Sequence, residues 1–174
     1  GTSSINSGGG IYIENYSKVK INHSKFTNCF ATYGSCIAFL NCDPIIVGNE
    51  FYNNITLSEG GAINGYNSSG LVVENIFENN IVTNQFGRGG AVACGGTGTI
   101  SIIDNIFINN SASRGGGLFN SSGRMYVTGN TFNGNTGESA SGISLEFAVA
   151  FILNNTFSNN VGYNVIYCEA DSQI

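Results

Sequence analysis

Gly60-Gly61-Ala62-Ile63 opens the stretch GGAINGYNSSGLVVENIFENN, residues 60–80, a unit that the chain repeats. Its end is Phe77-Glu78-Asn79-Asn80, with Phe77 fourteen residues beyond Ile63. The Phe recurs as Phe26, Phe51, Phe107, Phe132 and Phe157. The aliphatic recurs as Ile11, Ile37, Val92, Leu118, Ile143 and Ile166. From aliphatic to Phe the step is fourteen or fifteen residues; from Phe to the next aliphatic it varies from nine to fifteen. A period in the twenties with its slack confined to one segment marks a solenoid whose loops leave from one place.

Each unit carries a short β-like pattern. Five residues before each Phe stands Ile21, Ile46, Val72, Ile102, Val127 or Ile152. Two before it stands Ser24, Asn49, Asn75, Asn105, Asn130 or Asn155, and three after it Cys29, Asn54, Asn80, Asn110, Asn135 or Asn160. An offset of five between inward apolar residues breaks strict alternation, so a bend separates them. The Asn two before Phe is expected to mark that bend, because its short amide tolerates left-handed backbone and bonds nearby main chain. Stacked coil on coil, these amides are also expected to bond one another as a ladder. The Phe rings then form an internal stack at about 4.8 Å. No helical period occurs anywhere, so the fold class is all-β. The prediction is a right-handed, single-stranded parallel β-helix over residues 1–174, with three short strands per turn. Six to seven coils of about 25 residues give a rod of roughly 30 Å.

The paired tetrapeptides also carry a resemblance. Gly60-Gly61-Ala62-Ile63, Gly89-Gly90-Ala91-Val92 and Gly115-Gly116-Gly117-Leu118 are similar to the GGA(I/L/V) motif of polymorphic membrane protein repeats. FYNN at 51–54, FENN at 77–80, FINN at 107–110, FNGN at 132–135 and FSNN at 157–160 are similar to their FxxN motif. The resemblance implies a surface-displayed autotransporter passenger, and several members of that family are adhesins. The first and last units depart from the pattern (Phe26-Thr27-Asn28-Cys29; Tyr163-Asn164-Val165-Ile166), and no membrane barrel accompanies the repeats.

Composition narrows the function classes. Charged residues make up 10% of the chain, so solubility rests on Asn, Ser, Thr and Gly. The net charge is −5 and the six basic residues are scattered, whereas a nucleic-acid partner calls for a clustered basic stripe. No apolar run approaches the roughly 18 residues of a membrane span, so direct membrane insertion is not expected. There is no starting Met, and GTSSINSGGG (1–10) already leads into a glycine motif, so the sequence reads as a mature or excised piece. Neither end reads as a cap, and the coil ends are expected to meet further repeats or other copies of the chain.

Candidate chemistry is sparse. Glu74 and Asp104, each three before its Phe, stack on neighbouring coils at a spacing that suits a retaining glycosidase pair. Their column otherwise holds His23, Gly48, Gly129 and Asn154, with no cation for an anionic sugar, so the expectation is no enzyme and no cofactor. His23 is the only histidine and no C-x-x-C spacing occurs, so no metal site is expected. Glu59, Arg88 and Arg114 form another column, in which Arg88 over Arg114 is repulsive unless an anion bridges them. The excursion Ile81 to Arg88 (IVTNQFGR) is the longest, and the best place for an individual feature. Seven sequons occur; Asn15, Asn67 and Asn120 follow the glycine motif and are the candidate glycosylation sites, with NSSG at 67–70 and 120–123 read as loop. Of five cysteines, Cys94 and Cys168 sit two after the motif aliphatic as small buried hydrophobes, about 14 Å apart. Cys29, Cys36 and Cys42 are close in sequence, and a pair among the three stays open.

These features point to a non-enzymatic protein, extracellular or on a cell surface. One form is an adhesin-like passenger or scaffold with a host-cell or glycan ligand. The other is a structural subunit of an extracellular fibre or coat.

Overall fold

The computed structural model describes residues 7–15, 18–169 and 171–174. All regular structure in it is β: 22 strands, in which residues one coil apart pair in parallel. Sheet 1 has seven strands, Ile11–Glu14, Ile37–Leu40, Ile63–Tyr66, Val92–Gly95, Leu118–Ser121, Ile143–Glu146 and Ile166–Cys168. Sheet 2 has six, Lys20–Asn22, Ile45–Val47, Gly70–Val73, Thr99–Ile103, Arg124–Thr128 and Val149–Leu153. Sheet 3, the Phe sheet, has six, Lys25–Thr27, Glu50–Tyr52, Ile76–Glu78, Ile106–Ile108, Thr131–Asn133 and Thr156–Ser158.

A fourth ladder was not anticipated from sequence. Phe30–Tyr33, Ile55–Glu59 and Ile81–Val82 pair as sheet 4, and single bridges from Ile81 through Ser111 and Thr136 to Val161 carry it along the rod. The expected three strands per turn are therefore three plus a short fourth. Its residues, between the second Asn and the glycine motif, alternate in and out as a strand does, with the buried Thr56 hydroxyl donating to the Gly60 carbonyl at 2.9 Å.

The core follows the repeat. Ile37, Ile63, Val92, Leu118 and Ile143 of sheet 1 are fully buried, as are Ile46, Ile102 and Val127 of sheet 2. Phe26, Phe51, Phe77, Phe107, Phe132 and Phe157 are in register and stack at centroid distances of 4.7–5.0 Å, with planes 4–8° apart. Full burial of one such ring contributes about 1.5–3 kcal/mol before conformational entropy is set against it.

The bends lie one residue from where the sequence suggested. Left-handed backbone occurs not at the Asn two before Phe but at the residue preceding it: His23, Gly48, Glu74, Asp104, Gly129 and Asn154, at φ 47–71°. The same step recurs after Phe at Asn28, Asn53, Asn79, Asn109, Gly134 and Asn159, at φ 53–68°. Each left-handed residue turns the next Asn inward, which frees that amide for the ladder. Asn49 shows the pattern: its Nδ2 donates to Ile21 O (2.9 Å), Val47 O (3.1 Å) and Asn75 Oδ1 (3.0 Å), and Asn75 Oδ1 also accepts from Asn49 N–H (2.8 Å). Asn75, Asn105 and Asn130 repeat it down to Asn155. A second ladder runs Asn54, Asn80, Asn110, Asn135, Asn160. Both bends thus bury polar groups with partners, as a solenoid without helices requires. At the third corner Gly60 sits at φ 67°, where a Cβ would run into the Ile63 carbonyl.

Candidate functional site

Because inward positions are occupied by the core, individuality lies on the outward ones. On sheet 1 two outward rows form a floor. One is Tyr12, Ala38, Asn64, Ala93, Phe119, Ser144 and Tyr167; the other is Glu14, Leu40, Tyr66, Gly95, Ser121, Glu146 and Glu169. The sheet 4 side ends in a column of Ser7, Tyr33, Glu59, Arg88, Arg114 and Ala140, paired residue to residue, which stands beside the floor as a wall.

Over the first three strands this groove is open. A cavity of about 780 Å³ lies there, lined by Tyr12, Tyr33, Leu40, Glu59, Asn64 and Tyr66 among others. Tyr12 and Tyr66 are 48% and 52% exposed on its floor. The Tyr12 hydroxyl donates to Glu14 Oε2 at 3.1 Å, and its pKa is raised by partial desolvation first and by that carboxylate second. Small residues, Ala38 and Asn64, separate the rings, so the site presents aromatic faces with an amide and a carboxylate at its side. Sugars fit such a lining: their C–H faces stack on rings and their hydroxyls bond amides and carboxylates.

Further along, the groove is filled by the chain itself. The Arg88 guanidinium lies over the Phe119 ring at 5.0 Å, with Nη1 3.0 Å from Glu59 Oε1 and Nη2 3.3 Å from Glu146 Oε2. The other oxygen of Glu146 accepts from Arg114 Nη1, which also faces Glu169 at 3.8 Å. Glu146 is the anion that the Arg88–Arg114 column called for. It is buried, its side chain 8% exposed, between two arginines that keep about a third of their surface in water. The sequence reading missed Glu146 because its partners lie 32 and 58 residues away. The available signal was its place three after Ile143, an outward floor position. Arg88 Nε and Ser144 Oγ, also on this side, are buried without a hydrogen-bond partner.

The remaining candidates fall elsewhere. Glu74 and Asp104 stand exposed on the corner between sheets 2 and 3, away from the groove. His23 shares their corner, its Nδ1 3.2 Å from Asn22 Nδ2. The Ile81–Arg88 excursion projects as Thr83–Gly87 and carries Phe86, 68% exposed, beside a smaller cleft lined by Gln85, Arg114, Glu138 and Tyr163. No helix among the described residues is long and apolar enough to cross a membrane.

The three candidate glycan acceptors differ. Asn15 is exposed at φ 60°, but Tyr16 and Ser17 of its sequon lie outside the described residues. Asn67 is half-buried on a turn at φ 49°, its Oδ1 accepting from Thr97 N–H at 3.0 Å. Asn120 is not a loop residue: it lies in the strand Leu118–Ser121, 3% exposed, in register with Cys94 and Leu145, and its Nδ2 has no partner. The two NSSG tetrapeptides sit at different phases, Asn67 four residues after Ile63 and Asn120 two after Leu118, and the latter is an inward position. The loop reading of 120–123 is thus corrected: the folded chain encloses the Asn120 amide in a strand.

No match was found among curated proteins or among solved structures. The family model described as "Right handed beta helix region" matches residues 2–132, well over half of the chain. With its parallel ladders and stacked Phe and Asn columns, the chain belongs to the right-handed β-helix family.

Proposed function

We propose that this chain is an extracellular or surface-displayed, non-enzymatic binding scaffold of adhesin type, which takes a glycan in the open half of the sheet 1 groove. The observation that carries this reading is the exposed tyrosine pair, Tyr12 and Tyr66, beside Asn64 and Glu59 over a cavity of about 780 Å³. Exposed side chains from Thr83 to Phe86, Phe86 above all, give the rod a second irregular contact surface. The corner position of Glu74 and Asp104, outside the groove, supports a binding rather than a hydrolytic role. The similarity to polymorphic membrane protein repeats, carried by the GGAI and FxxN tetrapeptides, belongs to this reading and supports a surface location.

The test is a glycan array and whole-cell binding with the 174-residue chain and its Tyr66→Ala and Tyr12→Ala variants. Loss of about 1.4 kcal/mol of ring contact weakens binding about tenfold. The control is Phe151→Ala, an exposed ring on sheet 2. Unchanged binding in both tyrosine variants, or no glycan bound by the parent chain, overturns the assignment.

A second reading, a structural subunit of a fibre or coat joined through coil ends, is favoured by one observation. The last coil leaves Val161, Tyr163 and Leu153 exposed at 63%, 85% and 58%. A further coil, from the same chain or from another copy, covers such side chains equally well. Concentration-dependent association in sedimentation, lost in Tyr163→Lys, distinguishes this reading.

A further inference from the structure

Two departures from the repeat meet in space. In every later coil the residue three after Phe is a ladder Asn, but in the first it is Cys29. The third residue of the glycine motif is Ala62, Ala91, Gly117, Gly142 or Val165 in the following units, but in Gly34-Ser35-Cys36-Ile37 it is Cys36. The backbone at both is otherwise regular: Cys29 N–H donates to Asn54 Oδ1 at 2.9 Å, and Cys36 N–H to Ala62 O at 3.0 Å. Both side chains face the same interior. Cys36 is fully buried and Cys29 is half-buried against the same core, and the carbonyls of Phe30 and Ser35, each next to one of the two cysteines, converge beside Gly9. The other cysteines are placed apart: Cys42 Sγ lies 3.7 Å from Ile13 O, and Cys94 and Cys168 sit three coils from each other in sheet 1.

We propose that Cys29 and Cys36 are a redox site that closes to an intrachain disulfide on reaction with a low-molecular-weight disulfide such as oxidised glutathione. Cys29, the accessible member, attacks as thiolate; a Cys29–glutathione bond forms and one glutathione thiolate leaves. Cys36 then loses its proton and attacks Cys29 Sγ, expelling the second glutathione. Two protein thiols are oxidised and one disulfide is reduced to two thiols, so electrons and protons balance. Burial pushes the Cys36 thiol well above its ordinary pKa, and the Cys29 sulfur adds to this, so the second step is the slow one. The bond ties the exit of the first Phe strand to the entry of the next sheet 1 strand. There the ladder columns hold Ser24 and Cys29 instead of Asn, so the staple replaces cross-coil amide bonds that this end lacks. An oxidising compartment favours it, though the assignment does not depend on what the groove binds.

The experiment treats the reduced 174-residue chain with oxidised glutathione, blocks free thiols with iodoacetamide under native conditions, and maps peptides by mass. A Cys29–Cys36 linked peptide, lighter by about 2 Da than its dithiol form, is expected, with Cys42 and Cys94 alkylated only after denaturation. In Cys36→Ser, Cys29 is expected to stop as the glutathione adduct. A native far-UV spectrum of the variant is recorded alongside. Recovery of Cys29 alkylated and unlinked from the parent chain, or linked to Cys42, overturns the proposal, whatever the variant's folding.

Discussion

Replacing Asn80 by Ala removes one rung from the middle of a buried amide ladder. Asn80 is fully buried; its Nδ2 donates to Phe51 O at 3.0 Å and to Asn110 Oδ1 at 2.9 Å. Its Oδ1 accepts from Asn54 N–H at 3.3 Å and Asn54 Nδ2 at 2.8 Å. After truncation Asn54 Nδ2 keeps Phe26 O, and Asn110 Oδ1 keeps the Asn80 main-chain N–H. The Asn54 N–H is left without a partner, while the Phe51 carbonyl, mid-strand and in register with Phe77, keeps its place in the main-chain ladder. At about 1–3 kcal/mol for a buried group left without a partner, the cost is about 1–3 kcal/mol. Urea unfolding followed by far-UV circular dichroism reads this as a fall in midpoint of about 0.5–1.5 M at an m-value near 2 kcal/mol/M. Asn79→Gly is the control, since φ 55° at Asn79 suits glycine. An Asn80→Ala midpoint no lower than that of Asn79→Gly would falsify the ladder argument. Asn80→Asp sharpens the test, because an ionised carboxylate keeps the shape but cannot donate to Phe51 O or Asn110 Oδ1. Burial raises its folded pKa above the unfolded value of about 3.9. Between these two values the folded state binds more protons, so stability falls as pH rises through the window and recovers below it. Asn80→Asp is therefore less stable than Asn80→Ala at pH 7, and the gap narrows in acid.

Phe77→Ala, which removes a fully buried ring stacked at 4.8 and 4.9 Å on its two neighbours, is expected to cost about 3–5 kcal/mol in the same assay, with Phe77→Leu costing less. Glu146→Ala leaves Arg88 and Arg114 in adjacent register without their shared carboxylate. It is expected to cost about 1–3 kcal/mol, part of it recovered by added salt and little of it by Glu146→Gln, which has no charge and a single acceptor oxygen for two arginines. Burial pushes the Cys94 thiol up to about 12, so at pH 8 it should resist Ellman's reagent until urea unfolds the chain, while half-buried Cys29 reacts first. Secretion from a glycosylating host should give glycan on Asn67 and none on Asn120 by peptide mapping, with occupied Asn120 refuting the inward register of its strand.

The solenoid was legible because each inward column repeats one residue type. Phe51, Phe77 and Phe107 pack on copies of themselves, so spacing alone places them in contact, as do Asn75 and Asn105. Features that do not repeat were less legible. The bend residues His23, Gly48, Glu74 and Asp104 share a backbone conformation but no side chain, so the sequence reading assigned the bend to the conserved-looking Asn beside them. Sheet 4 went unread because its first strands, FATY, ITLSE and IV, share no residue pattern. Glu146 was invisible for the same reason: its contacts depend on two outward columns meeting across a corner, which a one-dimensional period does not encode.

That separation also explains where function can reside on such a rod. In a solenoid each coil contacts chiefly its neighbours, so an outward residue can change without disturbing the column beneath it. Sheet 1 shows this within one face. Ala38 and Asn64 leave the floor low between Tyr12 and Tyr66, and the wall beside them is Tyr33 and Glu59. Two strands on, Phe119 lies under Arg88, and the same groove closes where Arg88 and Arg114 meet a buried carboxylate. The inward residues beneath, Ile37 through Leu118, remain aliphatic and fully buried throughout. Open and filled halves therefore differ only in side chains at stations one strand spacing apart. The ion cluster ties the wall to the floor at Glu146, and Glu59 joins that cluster to the wall of the open half. On the proposed binding role, a ligand that spans the tyrosines meets side chains on regular strands, and ordering of the site makes little demand on its binding energy.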